Sequence, residues 1–186
     1  MADVRLYGLA RSVYTRITRL ALEEKGVPYT LHEVEIFGPE GVPPTHWQRH
    51  PFGRIPAFEH GAFKLYETAA ITRYIDDAFD GPALQPRDAA RRARVNQIVG
   101  LLDAYAYRPM VWGVTVERMR ATADGELPSE AKIAESLRRS ARALDALDAL
   151  MNDSGPHLLG ADSRWPICMP TRSLPASRSR PTVGRS

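Results

Sequence analysis

This 186-residue sequence predicts a small α/β domain followed by an all-helical region. Three observations carry that expectation. Short segments of alternating apolar and polar residues near the start flank a helical repeat, a second group of strand, strand and helix ends near residue 80, and only helical periodicity follows.

Val4-Arg5-Leu6-Tyr7 alternates faces and is closed by Gly8, the pattern of a short strand. Val13, Ile17, Leu20 and Ala21 then fall on one predicted helical face, with Ser12 where an N-cap belongs and Gly26-Val27-Pro28 as the stop. Tyr29 to Ile36 reads as a second strand. Strand, helix and strand joined so tightly imply parallel pairing, hence a βαβ unit. Residues 38–51 form a Gly- and Pro-rich loop with one helical turn expected at Thr45–Arg49. Ala57-Phe58-Glu59 and Phe63-Lys64-Leu65-Tyr66 flank His60-Gly61-Ala62 as a β-hairpin. Ile71, Tyr74, Ile75, Ala78 and Phe79 restore the helical spacing.

The expected boundaries are a first domain over 1–80, a linker over 81–87 and a helical region over 88–162. In the helical region Val95, Ile98, Val99 and Leu102 mark one long helix, with a kink expected near Pro109. A further helix runs from about Ser129 to Met151, with Ile133, Leu137, Leu144, Leu147 and Met151 on one face.

Apolar residues make up 44% and charged residues 25% of the chain, as in ordinary globular proteins. No apolar run is long enough to span a bilayer, and the first residues lack the apolar core of a signal peptide. One cysteine, Cys168, excludes an internal disulfide and a Cys-rich metal site, so a reducing, cytoplasmic setting is expected. The net charge of +3 is misleading. Residues 163–186 hold five arginines and no acid, leaving 20 basic against 22 acidic residues before them, so nucleic-acid binding by the folded part is not suggested. The five histidines show no metal spacing. His46 and His50, in the Pro-rich loop, are expected to be solvated.

Three features carry chemistry, each with a plain structural reading beside a functional one. Ser12 is either a helix cap or, with the exposed N–H groups of the first turn, the holder of an anion, where a bound thiol would ionise more easily. In His50-Pro51-Phe52-Gly53-Arg54-Ile55-Pro56 the last proline is either an ordinary turn residue or a cis proline that turns the Ile55 backbone toward a peptide-like ligand. Glu67 and Thr68 are either first-turn residues of a helix or a carboxylate and hydroxyl that complement an amino-acid head group.

Gly8, Ser12, Arg16 and Leu22-Glu23-Glu24-Lys25-Gly26-Val27-Pro28-Tyr29, then Pro51-Phe52-Gly53-Arg54-Ile55-Pro56-Ala57-Phe58, then Leu65-Tyr66-Glu67-Thr68-Ala69-Ala70-Ile71 occur in one fixed order. In that order they resemble the amino-terminal domain of a cytosolic glutathione transferase, most closely the serine-type, phi-like branch and its bacterial relatives. The likeness is continuous over residues 4–79 and looser to about Asp162. It implies a thioredoxin-like domain (βαβ-ββα, mixed four-stranded sheet) followed by an all-α domain that is incomplete in this chain.

The resemblance also implies roles. Ser12 matches the catalytic serine whose hydroxyl donates to the glutathione sulfur. Ile55, before the presumed cis Pro56, matches the residue whose backbone holds the cysteinyl part, and Glu67 and Thr68 match the pair that holds the γ-glutamyl head. Arg54 stands where Lys or Gln is usual and is placed to pair with the glycyl carboxylate. One loop departs from the pattern. Relatives carry His or Lys in the stretch that here reads Gly38-Pro39-Glu40-Gly41-Val42-Pro43-Pro44, which leaves His46, Arg49 and Arg54 as candidate replacements. Leu9 and Trp112 are the guessed apolar wall for an electrophile, with a core position the competing reading for Trp112. Glutathione is the implied co-substrate, with no metal, and a small electrophile and a second copy of the chain are the implied partners.

The same resemblance predicts a Ser/Thr-x-x-Asp capping box after Leu158-Leu159-Gly160-Ala161-Asp162. Pro166 falls where its acid belongs, and residues 163–186, Arg-, Ser- and Pro-rich, are expected to be an irregular, disordered tail. A truncation or shifted reading frame after about residue 162 is the expectation that follows, against a native linear tail. Conjugation of glutathione to an electrophile is the leading function. A glutathione-transferase-like binding or assembly module without turnover is the alternative, and nucleic-acid binding by the tail ranks last.

Overall fold

The computed structural model describes residues 3–150. The expected capping box, the tail, Cys168 and Met151 lie outside the described residues.

Four strands form one mixed sheet: β1 (Val4–Tyr7), β2 (Thr30–His32), β3 (Ala57–His60) and β4 (Phe63–Tyr66), in the order β2-β1-β3-β4. β2 runs parallel to β1, whereas β3 is antiparallel to both β1 and β4. The βαβ and ββα halves predicted from the sequence are thus both present. β2 is shorter than the predicted 29–36 segment. It pairs in register with Arg5, Leu6 and Tyr7, and its last bond comes from the Gly8 N–H to the His32 carbonyl, where the chain after β1 bends.

α1 (Val13–Glu24) and α3 (Thr68–Ala78) pack together on one face of the sheet. The core there joins Val4, Leu6 and Phe58 to Ala21, Leu22, Ile71 and Ile75. Alternation sends Tyr7 and Ala57 to the other face, where they meet Leu9, Val34 and Ile55. The face that α1 buries differs from the predicted one. Thr15, Thr18, Ala21 and Leu22 are buried while Leu20 is exposed. Threonine tolerates this position because Thr18 Oγ1 donates to the Tyr14 carbonyl one turn back, satisfying the hydroxyl inside the helix.

α2 (Pro44–Trp47) is the expected turn in the Pro-rich loop. α4 (Ala89–Leu101) begins the helical region under an Asp88 cap, its side chain accepting from the Arg91 N–H at 2.8 Å. In place of a kink at Pro109, the helix widens into two π-type stretches, Leu102–Ala106 and Arg108–Val116, before α5 (Glu117–Ala123). Pro109 has no N–H to give, so the hydrogen-bond ladder must shift register around it. α6 (Glu130–Asp148), capped by Ser129, returns along the π-type segment. Ile133 and Leu147 are buried as predicted, but Leu137 and Leu144 are exposed, their places being taken by Ser140 and Ala143.

Two features tie the halves together. Lys25, at the end of α1, donates its ammonium to the Asp76 carboxylate and to the Asp76 and Pro82 carbonyls. The same carboxylate accepts from the Leu84 and Gln85 N–H groups, which fixes the linker. Between α1 and the helical region the Tyr14 hydroxyl donates to Asp103 at 3.1 Å.

Candidate functional site

Ser12 is the N-cap of α1, with extended backbone and an Oγ that accepts from the Thr15 N–H at 3.5 Å. That is the outer limit of a hydrogen bond, so the oxygen is only loosely held. The hydroxyl hydrogen donates to no group among the described residues. A half-buried donor at the positive end of a helix is therefore available to an anion.

The Ile55–Pro56 peptide is cis, as one of the two sequence readings had it. Ile55 is buried against Leu9, yet neither its N–H nor its carbonyl has a backbone partner among the described residues. It therefore presents two unpaired backbone groups just ahead of β3, free to pair with a peptide. Glu67 sits at the start of α3 with φ of +70°, outside the range a side-chain-bearing residue prefers. Its carboxylate is exposed, and it makes no hydrogen bond or ion pair among the described residues, so it does not serve as a side-chain cap. Thr68 opens α3 beside it, half-buried.

Of the three cations proposed for the glycyl end, one is uncommitted. Arg49 donates from Nε to Glu59 at 3.0 Å and to the Thr45 carbonyl, with its guanidinium 4.1 Å from the Tyr7 ring centre. His46 is buried at 1% exposure, its Nε2 bonded to the Arg54 carbonyl. Arg54 is exposed, with no ion pair among the described residues.

The expectation that His46 and His50 are solvated is overturned, since both are buried. Four residues apart around a helical turn, they face the same way, with rings 6.4 Å apart. His50 also packs against Tyr66 at 4.9 Å, next to Glu67. Burial pushes the His50 imidazole below its ordinary range, with His46 and Arg54 acting in the same direction and Glu67 opposing them.

Tyr14 and Asp103 form a second group that sequence reasoning missed. The Tyr14 ring lies 4.6 Å from that of Tyr107. Burial, then the Asp103 charge, drives the Tyr14 hydroxyl well above its usual range. Burial raises the Asp103 carboxyl, with the Tyr14 hydroxyl pulling the other way. Its one sequence signal was position: Tyr14 is two residues past the Ser12 cap and Asp103 is an acid in a predicted helix. Neither forms a motif.

The guessed apolar wall is divided. Leu9 is buried beside Ile55. Trp112, 42% exposed, is not a core residue; it packs against Phe37 at 5.8 Å and borders a groove of about 820 Å³ between the π-type segment and α6. That groove lies on the helical domain and includes none of Ser12, Ile55 or Glu67.

A capping serine, unpaired backbone groups before a cis proline and a carboxylate at a helix start are thus gathered on one thioredoxin-like domain. The family model described as "Glutathione S-transferase, N-terminal domain" matches residues 6–83. The first domain is thus a glutathione S-transferase N-terminal domain. Among curated relatives, glutathione S-transferase F6 of Arabidopsis thaliana is 26% identical over 154 residues, which cover 83% of this chain and 74% of the plant protein. Glutathione S-transferase F9 of the same plant is 30% identical over 137 residues, or 73% of this chain and 63% of that one. Among solved structures, the theta class enzyme of Xanthomonas axonopodis pv. citri with glutathione bound is 29% identical at a TM-score of 0.72, covering 89% of this chain and 78% of its own. Glutathione transferase F2 of Populus trichocarpa, 22% identical, shares the fold at a TM-score of 0.74 over 88% of this chain and 77% of that one. Among the described residues, no helix is long and apolar enough to cross a membrane.

Proposed function

We propose that the chain conjugates the thiolate of glutathione to a small electrophile, and that Ser12 stabilises the thiolate. The observation that carries this reading is the uncommitted Ser12 hydroxyl at the first turn of α1. A free thiol titrates near about 8.5, so only a few per cent is ionised at neutral pH. Lowering that value by about two units requires roughly 2.7 kcal/mol of preference for the anion. One hydroxyl donor to a charged acceptor supplies about 1.5–3 kcal/mol, and the helix terminus a further 0.3–1 or so. The two together meet the requirement without a histidine base.

The rest of the tripeptide has a partner for each part. The Ile55 N–H and carbonyl, set by cis Pro56, pair with the cysteinyl segment. Glu67 takes the γ-glutamyl ammonium, while the Thr68 hydroxyl and first-turn N–H groups take its carboxylate. Arg54, the uncommitted cation of the three candidates, takes the glycyl carboxylate. The electrophile lies between Leu9 and Trp112, with Phe37 beside the latter. A soluble, cytoplasmic, detoxifying homodimer completes the proposal.

Retention on immobilised glutathione with elution by free glutathione tests binding, and a chromogenic electrophile tests turnover. Ser12→Ala is expected to keep most of the binding and to lose turnover by about ten- to a hundredfold, the worth of one charged hydrogen bond. Equal turnover by the alanine variant would overturn the role given to Ser12.

A further inference from the structure

Behind the Arg54–Ile55 backbone that holds glutathione in this reading lies a buried histidine. His46 is 1% exposed, and its Nε2 lies 2.7 Å from the Arg54 carbonyl oxygen. A carbonyl only accepts, so Nε2 carries the hydrogen and donates it. The other ring nitrogen, Nδ1, is buried with no partner. The backbone on both sides converges on the same residue. His46 O accepts from the Arg49 and His50 N–H groups, each at 2.9 Å. His50 in turn accepts at its carbonyl from Gly53 N–H at 2.9 Å and at Nδ1 from Phe52 N–H at 3.3 Å. The chain from residue 46 to residue 54 is thus one closed turn, pinned at its end by the imidazole.

The pinned atom matters because of what shares its plane. The Arg54 carbonyl and the Ile55 N–H belong to a single planar trans peptide and point in opposite directions. A donor fixed on the oxygen from inside the protein sets the direction of the N–H outside it. The Ile55 N–H has no other partner among the described residues to orient it.

We propose that His46 is a positioning residue for glutathione: its imidazole anchors the Arg54 carbonyl and so aims the Ile55 N–H at the bound peptide. The inference rests on the reading of Ile55 given under the proposed function. His46 touches neither the sulfur nor the electrophile, so its loss weakens glutathione binding and leaves the chemical step alone.

The test uses steady-state kinetics with each substrate varied in turn. His46→Phe keeps the bulk and removes the donor, and is expected to raise KM for glutathione about three- to tenfold, the worth of one neutral hydrogen bond. The kcat at saturation and KM for the electrophile stay within twofold. His46→Gln, whose amide N–H reaches the position of Nε2, restores KM. A phenylalanine variant with unchanged KM for glutathione, or a glutamine variant no better than phenylalanine, overturns the proposal. Should the phenylalanine variant fail to fold, His46→Gln and His46→Asn carry the test by calorimetric titration with glutathione: binding persists with Gln and falls with the shorter Asn, and equal binding by the two refutes the assignment. Wild-type protein that neither binds glutathione nor turns over refutes the functional reading itself, a result separable from wild-type binding that His46 variants leave untouched.

Discussion

Replacing Asp76 by alanine should be among the most destabilising single changes in the first domain. The Asp76 side chain is 7% exposed and the Lys25 side chain 3%. One carboxylate accepts from Lys25 Nζ at 3.2 Å, Leu84 N–H at 2.8 Å, Gln85 N–H at 2.9 Å and the Gln85 amide at 3.2 Å. Alanine leaves the Lys25 ammonium with only two carbonyls and strips two backbone N–H groups of their partner. Breaking a buried pair from one side costs about 3–5 kcal/mol. At about 2–4 °C per kcal/mol for a chain of this size, the melting temperature should fall by roughly 6–20 °C. Burial alone would raise the Asp76 carboxyl, but the Leu84 and Gln85 N–H groups, followed by Lys25, hold it below the usual carboxylate range. Its contribution is therefore complete above the unfolded value of about 3.9 and lost as pH falls through the lower folded value. Thermal melts followed by circular dichroism should show a large gap between wild type and Asp76→Ala at neutral pH that closes in strong acid. An alanine variant melting within about 2 °C of wild type at neutral pH would refute the reasoning.

Two further outcomes follow from close contacts. A Cβ on Gly8 would collide with Thr15 Oγ1, inside the buried face of α1. Gly8→Ala should therefore cost about 1–3 kcal/mol in a denaturant titration and lower turnover by displacing the turn that holds Ser12; an unchanged midpoint contradicts this. Asp103→Asn keeps an acceptor for Tyr14 but removes a charge that burial disfavours. A raised folded value means the wild-type carboxyl gains stability as pH falls through it, so the asparagine variant should melt at or above wild type at neutral pH and show a flatter pH profile. A clear loss of stability at neutral pH would count against that account.

Local signals were readable from the sequence, and tertiary ones were not. β1, the hairpin around His60-Gly61-Ala62 and the Ser12 cap rest on alternation, turn residues and a hydroxyl at a helix start, all within a few residues of one another. The buried stripe of α1 was misread because periodicity counts apolar side chains, whereas Thr18 hides its hydroxyl on its own helix. Histidines at 46 and 50 look solvent-loving in a Pro-rich loop. Only the folded chain supplies the Arg54 carbonyl and the Phe52 N–H that make their burial affordable. In the candidate site, the roles proposed for Ser12, Ile55, Pro56, Glu67 and Thr68 rest on their order along the chain. Tyr14 and Asp103 meet across 89 residues, beyond the reach of any local pattern.

The role of Ser12 is tested most directly by titrating the thiol of bound glutathione through its thiolate ultraviolet absorbance, in wild type and in Ser12→Ala. The wild-type midpoint should lie about two units below the free value of about 8.5, and the alanine variant should return most of the way to it. Identical midpoints in the two proteins, or a wild-type midpoint no lower than that of free glutathione, would contradict the claim that this hydroxyl holds the sulfur as an anion.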